Sequence, residues 1–328
     1  MNNKNDYNLG IMFRREHAPE DLPDFSRRAE EAGFDELWVV EDCFYGSGIA
    51  SAATALALTE SIKVGVGIMP AVARNPVFAA MEIATLARLF PGRLLPGIGH
   101  GVAGWMRQID AFPKSQLSAL EEVTTSVRRL LKGESFSFDG QHIQLDEVSL
   151  VHPPEHIPPI SLGVRGPKSL ALSGRVADGT ILAEFAAPAY VSWARQQIES
   201  GQKEAGRKDH HHLTVFAWAC TDADTDKARQ QLRPLISSAI ASGKLDSQIA
   251  PLNILPQAKE LIESGGPERL EAAMPNDWID QLAILGAPED WERAIHRLVE
   301  AGADSIVLVP LPDKGLDEVE VFARHFLG

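Results

Sequence analysis

The chain has 328 residues, 45% of them hydrophobic, a formal net charge of −14 and two distant cysteines, Cys43 and Cys220. That length suits one α/β barrel of the ~250-residue class with insertions, or two mid-sized domains, and supports a core without disulfides. The acidic balance argues against a nucleic-acid partner, the cysteine usage sets a reducing, cytoplasmic expectation, and no apolar run reaches the ~18 residues of a membrane span. The N-terminal MNNKNDYN also lacks a basic-then-apolar leader.

In chain order, short apolar runs alternate with helical stretches. Predicted strands cover 8–13 (NLGIMF), 36–42 (ELWVVED), 63–70 (KVGVGIMP), 93–100 (RLLPGIGH), 160–164 (ISLGV), 179–184 (GTILAE), 213–221 (LTVFAWACT) and 305–310 (SIVLVP). Most are continuously apolar, as expected of strands covered on both faces. In the first helix Leu22, Phe25, Ala29 and Ala32 share a face, and Gly33 follows as a left-handed stop. In a later one Asn75 caps, Pro76 opens, and Val77, Ala80, Met81, Ala84 and Ala87 form the expected buried stripe, before Phe90-Pro91-Gly92 ends it.

Residues 134–151 read as a hairpin excursion with its turn at Asp139-Gly140, and 222–290 as a helical insertion too long for one crossover. Glu31-Ala32-Gly33-Phe34-Asp35 before the second strand is echoed by Glu300-Ala301-Gly302-Ala303-Asp304 before the last. Eight strands with a repeated helix–Gly–Asp–strand turn favour a (β/α)8 TIM-type barrel, with 1–328 as a single elaborated domain.

Ligands of such barrels sit at the C-terminal strand ends. The second strand ends at Glu41-Asp42-Cys43-Phe44; a half-buried Asp42 is suited to proton transfer, whereas Cys43 reads as a packed small residue. Gly67 beside Ile68 suggests a backbone platform against something flat. Gly97, Gly99 and Gly101 alternate at the strand end and remove side chains beside His100, which can donate a hydrogen bond or shuttle a proton. Val164-Arg165-Gly166-Pro167-Lys168-Ser169 opens a helix whose first amides, with two basic residues, form a phosphate site. Glu184 follows the sixth strand; Phe13, Phe44 and Trp105 are expected to wall a pocket. Asp209-His210-His211-His212 precedes the seventh strand, at the opposite end, and reads as an exposed loop with no metal.

LWVVED, VGVGIMP followed by Asn75-Pro76, the GIGHG loop, and RGPKS followed by ADG together resemble the luciferase-like superfamily of flavin monooxygenases and deazaflavin-dependent reductases and dehydrogenases. The resemblance implies a bulge at Gly67-Ile68, with a non-proline cis peptide in deazaflavin members, behind the cofactor ring. It places Gly99, His100 and Gly101 along that ring and the cofactor phosphate at Val164 and Arg165 to Ser169. Cys43 stands where dehydrogenase members often carry the His of an Asp-His pair, and Val102 where the sugar-phosphate dehydrogenases carry a glutamate. Both departures count against that branch, and GVGIMP with the Arg165-Gly166-Pro167-Lys168 turn is similar to the pattern of the methylene-tetrahydropterin reductase branch. The resemblance implies hydride transfer between the deazaflavin coenzyme F-420 and a small-molecule substrate, with Asp42 and His100 as polar partners and a homodimer common in the family. Alternatives are an FMN-dependent monooxygenase and a non-catalytic flavin-binding barrel.

Overall fold

Eight parallel strands close on themselves in the computed structural model, which describes residues 6–220, 222, 224–312 and 317–327. The first half runs β1 (Asn8–Phe13), α1 (Leu22–Glu31), β2 (Glu36–Val39), α2 (Gly48–Leu58), β3 (Lys63–Pro70), α3 (Pro76–Leu89) and β4 (Leu94–Gly99). Next come α4 (Ala103–Gln108), α5 (Gln116–Leu131), β5 (Phe136–Asp139), β6 (Gln144–Val148), β7 (Ser161–Gly163), α6 (Pro167–Val176), β8 (Gly179–Leu182) and α7 (Pro188–Glu204). The remainder is β9 (His212–Cys220), α8 (Thr225–Ala241), α9 (Asp246–Ile249), α10 (Leu255–Ala273), α11 (Asn276–Leu282), β10 (Ile284–Leu285), α12 (Pro288–Glu300), β11 (Ser305–Pro310) and α13 (Asp317–Phe326).

The barrel order is β1-β2-β3-β4-β7-β8-β9-β11, with β11 returning to β1. All eight expected strands are present; β2 and β8 stop at Val39 and Leu182, so Glu41, Asp42 and Glu184 lie on loops. Thr221, and residues 1–5 of the N-terminal reading, lie outside the described residues. The antiparallel β5–β6 pair stands apart from the barrel. Among 222–290, the two-residue β10 extends the sheet beside Ala219 and Cys220.

Each barrel strand has one face toward the helices and one toward the barrel axis. Leu9, Ile11 and Phe13 of β1 join the outer cluster with α1, while Met12 joins the inner one with Trp38, Phe216, Trp218, Val307 and Val309. The inner cluster continues into Leu232, Ile236, Ile249, Leu270 and Trp278 of the insertion helices. On α3 the expected stripe is corrected: Met81 is exposed, and the buried face is Pro76, Ala79, Ala80, Ile83, Ala84 and Ala87. Positions 76, 80, 83 and 87 share one helical stripe that residue 81 does not.

An aspartate makes the same clasp three times at the N-terminal rim, twice from the turn echoed in the sequence. Asp35 Oδ2 accepts from the Leu9 amide (2.9 Å), Asp178 Oδ2 from Ile160 (3.0 Å) and Asp304 Oδ2 from Leu213 (2.7 Å). Gly33 (φ 92°) and Gly302 (φ 111°) provide the left-handed step before two of them. The expected exposed histidine loop is also corrected. His212 opens β9, and His211 is only 2% exposed, its Nε2 lying 2.8 Å from Thr180 Oγ1 beneath α6.

The upper interior is shaped by missing side chains. A Cβ on Gly97 would lie 2.6 Å from the Val66 carbonyl, and one on Gly99 2.8 Å from the Gly163 carbonyl and 2.6 Å from Ile68 Cδ1. A Cβ on Gly163 would meet Ile68 Cγ2 at 2.5 Å. Ile68 therefore occupies space that three glycines leave open. Gly99→Ala must displace backbone as well as the Ile68 side chain. It is expected to destabilise by about 1–3 kcal/mol in urea unfolding, the usual range for overpacking; an unchanged midpoint would show that this interior is slack.

Candidate functional site

At the C-terminal rim, Gly67 and Ile68 stay half-buried although Val66 and Met69 beside them are buried, so β3 opens here onto the barrel mouth. The Gly67–Ile68 peptide is cis, and the β3–β4 register shifts between Val66 and Met69. Gly99 is buried beside Ile68, and Gly101 turns the chain away with φ 70°.

His100 leaves β4 with Nε2 3.0 Å from Ser169 Oγ, which joins the glycine loop to the start of α6. Burial lowers the His100 pKa, partly opposed by the Gln116 backbone, so the neutral ring is favoured near pH 7. Gly166 caps α6 without a side chain and Pro167 opens it; a Cβ on Gly166 would meet nothing within 4 Å. The Lys168 and Ser169 amides precede the first intrahelical donor, Leu170. Val164 is buried, its amide 3.4 Å from the Ile181 carbonyl, and Arg165 and Lys168 are exposed. Arg165 is anchored through its carbonyl by the Tyr190 hydroxyl (2.8 Å) and reaches the Lys244 carbonyl of the insertion (3.4 Å).

The two carboxylates after β2 have different partners. Glu41 pairs with Arg74 (2.7 Å) and accepts from the Gly48 amide at the start of α2 (3.2 Å). Asp42 pairs with Arg15 (2.7 Å), whose guanidinium lies 5.1 Å from the Tyr45 ring centroid and 5.7 Å from that of Trp105. Burial, then Asp42 and Glu41, push the Cys43 thiol up and away from reactive thiolate. Phe44 is 69% exposed, with φ 76°.

Across the mouth, Arg14 is buried with its guanidinium 4.6 Å from the Trp218 ring centroid, bonded to the Pro310 carbonyl (2.8 Å) and Glu16 (2.9 Å). Trp218 Nε1 is buried without a hydrogen-bond partner among the described residues. Phe185 lies 6.1 Å from Trp218, centroid to centroid. Fully buried Gln248 of α9 donates to the carbonyls of Ala183 (3.3 Å) and Glu184 (2.8 Å), tying the insertion to the loop after β8.

The sequence reading thus placed His100 and the α6 start separately, and the structure joins them. Phe13 does not wall the mouth: its ring packs 5.2 Å from Phe25, against α1, because β1 alternation turns Met12 inward instead. Arg14, Arg15, Arg74, Trp218 and Gln248 were missed. The first two directly follow β1, and Trp218 is an inward position of β9 by alternation. A recess of about 520 Å3 lies elsewhere, among α8, α11 and α12. Its Arg229 and Arg293 are already committed to Asp280 and Asp290, so it is a poor anion site.

Comparison with known proteins gives a consistent picture. The family described as luciferase-like monooxygenase matches residues 7–305. The 5,10-methylenetetrahydromethanopterin reductase of Methanolobus tindarius is 30% identical over 97% of this chain and 100% of its own length. An F420-dependent glucose-6-phosphate dehydrogenase of Nakamurella multipartita is 26% identical, covering 81% of this chain and 83% of its own. The solved coenzyme F420-dependent tetrahydromethanopterin reductase of Methanopyrus kandleri superposes with a TM-score of 0.80 at 21% identity, over 97% and 98% of the two chains.

Because burial depresses the His100 pKa below its ordinary value of 6.5, its contribution to stability is present above pH 6.5 and is lost as pH falls toward the folded value. Wild type is expected to lose more stability than His100→Asn between about pH 7 and pH 5, measured by urea midpoints. Equal losses would place the ring in solvent.

Proposed function

We propose, for a chain that belongs to the luciferase-like monooxygenase family, hydride transfer between a bound deazaflavin coenzyme and a small organic substrate. The names of the curated relatives, a methylenetetrahydromethanopterin reductase and an F420-dependent dehydrogenase, support an oxidoreductase with this coenzyme. The observation that carries the reading is the half-buried Gly67-Ile68 at the C-terminal rim, together with the His100–Ser169 contact that joins the glycine loop to the start of α6, where a flat ring with an anionic tail could lie.

The residues present fit such a group. Open space over Gly166, the Lys168 and Ser169 amides, and the exposed Arg165 and Lys168 side chains suit an anionic tail. When bound, the coenzyme supplies a two-electron hydride donor or acceptor. Gly67, Ile68, Gly99, His100 and Gly101 would back its ring, and Val164 to Ser169 would hold its phosphate. His100, neutral and held by Ser169, would donate or accept one hydrogen bond there. Asp42, oriented by Arg15, would contact the substrate at the mouth, with Phe44, Trp105 and Glu184 around it and Trp218 Nε1 as a further donor.

The inner cluster shared by barrel and insertion supports reading residues 1–328 as one elaborated domain, with 134–151 and 222–290 as excursions. Among the described residues no helix is long and apolar enough to cross a membrane. A homodimer belongs to the same reading: Phe78, Met81 and Leu89 are exposed along α3. Sedimentation of wild type against Phe78→Glu tests it, an unchanged mass counting against that face.

Titration with the deazaflavin coenzyme and with FMN, followed by fluorescence and absorbance, tests the cofactor. The deazaflavin is expected to bind, and Lys168→Ala to weaken it by about ten-fold or more, the range for a lost charge-assisted bond. Preference for FMN would replace the reading with a monooxygenase; binding of neither would overturn the cofactor.

A further inference from the structure

We propose that His210, His212 and Asp304 bind a divalent transition cation, with Zn2+ as the best match, at the N-terminal rim of the barrel. This is the end opposite the site described above. One ligating atom from each of the three residues lies within 4.8 Å of those of the other two. Residues two apart on an extended chain face the same way, so His210 and His212 share a side while His211 turns the other way, beneath α6. Asp304 reaches the same point from the turn before β11, which pairs with β9 directly above.

One pair of these atoms already stands near ligand spacing. His210 Nε2 and Asp304 Oδ1 are 3.0 Å apart. Two ligands ~2.0–2.1 Å from a tetrahedral zinc stand roughly 3.3 Å apart, so a cation between these atoms needs a small adjustment. His210 can make it, because its side chain is 70% exposed.

The supporting groups decide which nitrogen and oxygen carry a free lone pair. Ser305 Oγ gives its single hydrogen to Glu36 Oε1 (2.8 Å) and accepts from Asn8 Nδ2 (3.2 Å). His212 Nε2, 2.8 Å from the same oxygen, must therefore donate, which leaves the lone pair on Nδ1. Metal-bound imidazoles commonly donate their second N–H to such a partner. On Asp304, Oδ2 is held by the Leu213 amide (2.7 Å) and Arg195 (3.0 Å), so Oδ1 is the oxygen available. Two imidazoles and one carboxylate suit Zn2+, with water in the fourth position. A cation here would join the first residue of β9 to the residue preceding β11, and so brace the barrel without touching the mouth.

The test is calorimetric titration of the tag-free full chain with ZnCl2, alongside thermal unfolding with and without the metal. One saturable site is expected, weakened at least ten-fold by His210→Ala and unchanged by His156→Ala, an exposed histidine of the connector. Zinc should raise the wild-type Tm and leave that of His210→Ala where it was, since a ligand bound only by the native state stabilises it. His210 is too exposed for its loss to prevent folding, which circular dichroism verifies. Absence of a saturable site, or equal binding by His210→Ala, overturns the proposal. Equal weakening by His156→Ala overturns it too, since binding would then be spread over surface histidines.

Discussion

A closed barrel of eight parallel strands has to fill its own interior, and that filling must change character along the axis. Near the N-terminal rim the inward residues are polar and mutually satisfied: Glu36 accepts from Asn8, Ser305 and Trp38 Nε1. In the middle Trp38, Phe216 and Val307 supply bulk. Toward the mouth bulk is withdrawn, and Ile68 seats itself where Gly97, Gly99 and Gly163 have none. The absent side chains let Ile68 pack directly against backbone there, while the lower layers hold the strands in place.

The aspartate clasps serve the same separation. Asp35, Asp178 and Asp304 each fix a neighbouring strand from below, and each carboxylate replaces the partner a strand-end amide would otherwise lack. Cations gather around two of them, with Arg128 and Arg207 on Asp178 and Arg195 on Asp304. Arg195 also binds the carbonyls of His211 and Gly302, so one side chain of α7 ties the start of β9 to the turn before β11. Ionic groups at the N-terminal rim thus serve mainly to fix register, with Glu36 buried among them, whereas Arg14 is the buried charge at the mouth.

The strands were legible because buried parallel strands are written as unbroken apolar runs, and the helix stops because Gly33 and Gly302 occupy conformations that other residues adopt only at a cost. The glycine spacing at 97, 99 and 101 has a packing reason in the structure, since side chains there would collide with Ile68, Met106 or backbone. Phe13 was misread because its composition suits a pocket wall, whereas only the alternation of β1 decides which way it faces. Arg15 and Arg74 were not legible at all. Their partners Asp42 and Glu41 lie tens of residues away, and no local pattern encodes an ion pair between loops. The three histidines failed for a finer reason: a strand boundary one residue earlier than expected turns one of them into the core and another toward the axis.

Gln248 links two parts of the chain that the sequence presents as unrelated. Its amide is the donor for two successive carbonyls, of Ala183 and Glu184, at a strand end that has no further strand to pair with. A foreign loop grafted between β9 and α12 would leave those carbonyls bare unless it brought a donor to the same place. The segment between β9 and α12 is therefore not an independent cassette. Any transplant of it, in evolution or in the laboratory, has to carry this junction along.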